Sequence, residues 1–201
     1  KLIDIFAKFK ESFLLDYIEE ENYEYQKPQQ GKLDVGTELI VYKNLYSVGD
    51  VCNCIRKIII DNKLVQNDIC ILSSKIKVLQ QVESQFSFYE KTTTAFETLL
   101  EIQEIEKSTE KMPNKQLQKI EQKSRIEKLR KIKKEHFHIN SGLVKFATIH
   151  SFKGLELKNV FVIINEDDIA EIIYTGITRS IENLFVIGIH DTQYNKFFES
   201  F

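Results

Sequence analysis

Four short apolar runs constrain this chain more than any other feature: Ile69–Leu72, Leu143–Ile149, Val160–Ile164 and Leu184–Ile189. A strand with one wet face alternates apolar and polar residues, whereas these runs hardly alternate, so the sheet they build is covered on both faces. Helix-like stretches lie between them, including one from Asp168 to Ile181. Apolar strands joined by helices imply a three-layer α/β domain with a mainly parallel sheet. Ligands of such sheets bind beyond the carboxyl ends of the strands. The 201 residues are enough for one sizeable core.

The rest of the chain is consistent with that plan. Residues from Lys1 to Tyr25 have partial helical spacing through Ile5, Phe6, Phe9, Phe13, Leu14 and Ile18, and Lys27-Pro28-Gln29-Gln30-Gly31 breaks it. Leu39 to Tyr42 is β-prone. Ser47, with Asp50 at the capping-box position, then opens a helix that runs to about Ile60. Ser73-Ser74 begins another helix, and Thr92-Thr93-Thr94 is a strand or loop leading into a short helix. From Asn114 to Glu135 a highly charged helix is predicted, with Leu117, Ile120, Leu129 and Ile132 sharing a stripe. His136 and His138 have the spacing of a strand edge and are assigned structural roles. This divides the chain into a helix and linker at 1–36, carried over from a preceding domain, and a domain at 37–201 with a charged helical insertion at about 95–138.

Composition excludes several classes. No run approaches the ~18 apolar residues of a membrane span, so a soluble, cytoplasmic protein without a membrane partner is expected. The opening Lys1-Leu2-Ile3-Asp4-Ile5 lacks the order of a signal peptide and reads as a cut inside a longer protein. A net charge of -2 means that nucleic acid binding requires a local basic surface. The three cysteines, Cys52, Cys54 and Cys70, form neither a disulfide framework nor a zinc site, and no metal ligand set is assigned. Cys70, between two isoleucines, is expected to be a buried structural thiol.

No G-x-x-x-x-G-K-[ST] loop occurs and no strand ends in paired acids for Mg²⁺, so the chain alone is expected not to hydrolyse nucleotide. Polar chemistry gathers instead in two late segments. Thr148-Ile149-His150-Ser151-Phe152-Lys153-Gly154-Leu155-Glu156 follows a strand. There Gly154 permits close backbone approach, Lys153 can neutralise a phosphate, and Glu156 can accept from a ribose or fix a basic partner. Tyr174-Thr175-Gly176-Ile177-Thr178-Arg179-Ser180 precedes the last strand and carries Arg179. Each has a plain alternative, a capped turn with solvated charges for the first and a surface ion pair for the second.

Together the two segments resemble motif V (T-x-H-x-x-K-G-L-E) and motif VI (Y-x-x-x-T-R-[AS]) of the superfamily 1, UvrD/Rep-like DNA helicases. The chain is similar to their second, C-terminal RecA-like (P-loop NTPase-like) domain, and the clear match covers roughly Gly142 to Ile189. Asp68-Ile69-Cys70-Ile71-Leu72 is similar to the motif IV strand. Where the family continues with an aromatic residue and an arginine, this chain has Ser73 and Ser74, followed by Lys75. The resemblance implies an ATP site between two RecA-like lobes, with Mg²⁺ held mainly by the N-terminal lobe. Arg179 would be the arginine finger, Gly154, Glu156 and Lys75 nucleotide contacts, and Thr148, His150 and Lys153 contacts to single-stranded DNA. The alternative is a RecA-like interaction module without turnover, which the two serines favour.

Overall fold

The computed structural model describes residues 1–14 and 40–200. The linker expected at Lys27–Gly31 and the second half of the first helix lie outside these residues. Seven helices, α1 (Leu2–Phe13), α2 (Val48–Asp61), α3 (Ile76–Phe86), α4 (Leu99–Thr109), α5 (Lys115–Glu135), α6 (Ala170–Ile177) and α7 (Asn195–Glu199), accompany six strands among the described residues. The strands are β1 (Ile40–Leu45), β2 (Ile69–Ser73), β3 (Thr92–Thr94), β4 (Val144–Thr148), β5 (Leu157–Ile164) and β6 (Ser180–Ile189).

They form one sheet in the order β1-β6-β5-β2-β4-β3, and every pairing is parallel. The fold is the three-layer α/β architecture of RecA-like domains, all-parallel where the sequence implied mainly parallel. Every residue of β2 and β4 is buried, the polar Ser73, Lys145 and Thr148 included.

Alternate residues of each strand feed two cores. On one face Cys70, Leu72, Val160, Val162, Leu184 and Val186 meet α1, α6 and α7. On the other, Ile69, Ile71, Phe146, Phe161 and Phe185 meet α2 and α3. Phe161 and Phe185, side by side on β5 and β6, stack with centroids 4.3 Å apart. Helix α1 packs into its core through Leu2, Ile5 and Phe9, and Phe9 lies in a cluster with Phe13, Tyr174, Tyr194, Phe197 and Phe198. Cys70 is fully buried, and burial raises its thiol pKa far above the ordinary value.

Local signals explain the helix starts. Ser47 caps α2 by accepting from the Asp50 N–H at 3.1 Å. Thr98 and Glu101 form a complete capping box on α4. Helices α4 and α5 occupy the connection from β3 to β4, where the charged insertion was expected.

Four expectations need correction. Helix α3 begins at Ile76, because the hydroxyls of Ser73 and Ser74 bond to Asn165 and Asp168, 91 to 94 residues on, rather than capping the helix. Helix α6 ends at Ile177, because Ser180 already pairs with Leu157 as the first residue of β6. The apolar stripe on α5 does not form a packed face: Leu129 is half-buried, but Leu117, Ile120 and Ile132 are exposed. At 3.6 residues per turn the four span about 180° of the helix, and only Leu129, at one end of that arc, is covered. His136 and His138 do not lie on a strand edge, since His136 is the C-cap of α5, with Nδ1 2.9 Å from the Ile132 carbonyl.

Candidate functional site

The strand register separates the sheet into two polar edges. At the carboxyl edge, Ser73 of β2 is level with Thr148 of β4 and Ile163 of β5. At the amino edge, the Leu157 N–H donates to the Arg179 carbonyl at 3.1 Å, which brings the start of β5 beside the start of β6. Leu157 and Ile163 are six residues apart on β5, so the edges are about 20 Å apart.

The carboxyl edge is occupied by a closed polar network. Asp168 is buried and accepts from the Asn165 backbone N–H at 2.8 Å, from Asn165 Nδ2 at 3.1 Å and from the Ser74 hydroxyl. Asn165 Nδ2 also donates to Ser73 Oγ at 3.0 Å, and the Tyr194 hydroxyl donates to the Asp168 carbonyl at 3.0 Å. This follows from burial, which obliges each of these groups to find a partner. Lys75 stands outside the network and pairs with Asp167 at 2.6 Å, both side chains largely in solvent. The hydrogen bond between them raises the Lys75 pKa and lowers that of Asp167.

Thr148 ends β4 at the same edge. Its Oγ1 accepts from the Ser151 N–H at 3.1 Å and donates to Ser151 Oγ at 2.9 Å, which fixes the turn that follows. His150 at the head of that turn is exposed. Residues 149–156 cross the face over β2 and descend to β5, with Phe152 buried against the α6-side core. Lys153 and Gly154 lie exposed on this crossover. Gly154 adopts φ +87°, a left-handed conformation that a side chain would strain.

The amino edge carries Glu156, exposed, and Arg179, half-buried. Arg179 is folded back on its own helix: Nε donates to the Thr175 carbonyl at 3.0 Å and one terminal nitrogen to Thr178 Oγ1 at 3.1 Å. Among the described residues these two neutral acceptors are its side-chain hydrogen-bond partners, and no carboxylate holds it. Gly176 sets its position, because a Cβ there would lie 3.0 Å from Ile149 Cδ1 and 3.3 Å from Val162 Cγ1. The close approach seats α6 against the sheet and the crossover together.

Of the residues singled out by sequence, the fold brings Gly154, Glu156 and Arg179 to neighbouring chain segments and leaves Thr148 and His150 at the other edge. Lys153 lies between. Lys75 is not brought to Arg179, because the length of β5 separates them. The Asn165–Asp168 network and the packing role of Gly176 were missed. An Asn-x-x-Asp segment directly after a strand and before a helix was the available signal for the first. The close approach at Gly176 had none, because it depends on Ile149 and Val162 being in place.

No protein-family model matches the chain, and no curated protein matches it. Among solved structures it is similar to the C-terminal domain of a possible DNA helicase from Lactobacillus plantarum WCFS1, at 12% identity and a TM-score of 0.46. That likeness covers 78% of this chain and 76% of the other. A score this low carries no weight for function, and the fold rests on the strand order and pairing described above. Among the described residues no helix is long and apolar enough to cross a membrane, and no group of three or more His, Cys, Asp or Glu is placed to hold a metal ion.

Proposed function

We propose that this chain is the second motor lobe of an ATP-dependent, UvrD-like DNA helicase, completing an ATP site against a first RecA-like lobe and contacting single-stranded DNA. The observation that carries the reading is the junction at the amino edge, where Leu157 N–H meets the Arg179 carbonyl and so joins the end of the motif V segment to motif VI. In this reading Glu156 and the Gly154 backbone meet the nucleotide. Arg179 leaves Thr175 and Thr178 to meet the γ-phosphate as the lobes close, stabilising charge that develops during phosphoryl transfer. Mg²⁺ would be held mainly by the other lobe. Thr148 and His150 at the upper end of the crossover, with Lys153 part-way along it, face DNA, so one nine-residue segment, Thr148–Glu156, links DNA to nucleotide and a closing motion at one edge is felt at the other.

The test is DNA-stimulated ATP hydrolysis by the protein carrying both lobes, with Arg179→Ala beside wild type. Turnover falls at least about 100-fold while ATP still binds; equal turnover would sink the reading. A RecA-like interaction module without turnover is the second reading. It is favoured by Ser73 and Ser74, which turn into the Asn165–Asp168 network and offer a nucleotide neither a stacking ring nor a cation.

A further inference from the structure

Helix α5 is held to the domain in an unusual way. None of its 21 residues is buried. It docks through polar contacts: Arg130 Nε to Glu97 at 2.8 Å, Lys133 to Glu101 and to Thr94 Oγ1 at 2.8 Å, and Gln122 to Thr109 Oγ1 at 2.8 Å. Exposed cations share this side of the helix at other heights: Lys115 lies at the azimuth of Lys133, and Lys119 and Lys123 bracket that of Arg130. The helix has nine Lys and Arg against three Glu, a local +6 on a chain whose net charge is -2.

Five of the nine cations are ion-paired, and of these Arg125, Arg130 and Lys133 are held closely. Lys115, Lys119, Lys128 and Lys134 have no ion-pair partner among the described residues. Lys123–Glu127 and Lys131–Glu135 stand at 4.0 and 3.9 Å in open solvent, where such pairs are weak. Lys115, Lys119, Lys123 and Lys134 fall within an arc of about 100° around the helix, and successive members of the Lys115–Lys119–Lys123 row rise about 6 Å. The neighbouring helix has the opposite sign, with Glu104 and Glu106 exposed on α4 and Glu110 exposed at its C-cap, so a polyanion is favoured on the α5 side.

We propose that this flank of α5 docks the phosphate backbone of duplex nucleic acid. Single-strand binding combines cations with aromatic platforms on which bases stack, and α5 contains no aromatic residue. A rigid rod of lysines suits the fixed phosphate rows of a duplex, whose binding is dominated by counterion release. An anionic membrane surface fits less well, because the exposed Leu117, Ile120 and Ile132, within an arc of about 120°, are interrupted there by Glu121, Lys128, Lys131 and Glu135 and make no continuous apolar face. The proposal goes beyond the motor reading and does not rest on it, since it concerns binding by this chain without nucleotide.

The test is fluorescence anisotropy of this chain with a labelled duplex and a single strand of equal length, across a salt series. The variant carries Lys115→Gln, Lys119→Gln, Lys123→Gln and Lys134→Gln, a change that preserves helix propensity. A control carries the same charge change elsewhere, at the exposed Lys43, Lys57, Lys77 and Lys196. Duplex affinity of the α5 variant falls at least about tenfold, and its slope of log K against log salt shrinks by roughly 3 to 4. The control keeps its slope and circular dichroism of both is unchanged. An unchanged slope in the α5 variant, an equal loss in the control, an equal loss of single-strand binding, or a loss confined to anionic vesicles would each overturn the proposal.

Discussion

The two edges of the sheet use polar residues in opposite ways. At the carboxyl edge, Ser73, Ser74, Asn165 and Asp168 are buried or half-buried and satisfy one another, with Tyr194 bracing the same loop. At the amino edge, Arg179 is tied to one carbonyl and one hydroxyl of its own helix, and Glu156 stands in solvent. Groups that satisfy one another hold a fold together. A guanidinium resting on two neutral acceptors exchanges them for a phosphate at little cost, because charge-assisted hydrogen bonds are about twice as strong as neutral ones.

Substitutions can break this contrast. The largest expected loss of stability is at the carboxyl edge: Asp168→Ala strands the Asn165 N–H and the Ser74 hydroxyl, costing about 3 kcal/mol in denaturant unfolding. Next is Gly176→Ala, which drives a methyl against Ile149 and Val162 and costs about 1–2 kcal/mol; an unaffected midpoint would show that α6 is free to shift. Gly154→Ala follows at about 1 kcal/mol from backbone strain alone, since nothing lies within 4 Å of the added Cβ.

The smallest effect is at Lys75→Gln. The Asp167 pKa is lowered from 3.8 and that of Lys75 raised from 10.5 by their hydrogen bond. The contribution of the pair is therefore fully present only between those unfolded values. It is lost as pH falls through the lowered Asp167 pKa and as pH rises through the raised Lys75 pKa. With both side chains exposed, the difference between wild type and variant is small at pH 7 and vanishes at either extreme. A difference that persists in acid would reassign the contact.

How much of this was legible in the sequence depended on how local each cause is. The apolar strands declared themselves because burial on both faces removes alternation, and α2 did so because Ser47 and Asp50 lie within one turn. Strand β3 stayed ambiguous because Thr92–Thr94 is held by pairing with Val144–Phe146 rather than by its own pattern. Ser73 and Ser74 misled as helix caps because their partners, Asn165 and Asp168, are about 90 residues on. The segments that resemble motifs V and VI were recognisable as strings, but only the register of β5 shows that Lys75 and Arg179 belong to different edges.

The most direct test of that division is single-turnover ATP hydrolysis by the protein carrying both lobes, comparing Arg179→Ala with Lys75→Ala. The account predicts a loss of at least about 100-fold for Arg179→Ala, with Lys75→Ala near wild type. Equal losses, or a loss confined to Lys75→Ala, would contradict it and move the nucleotide to the carboxyl edge.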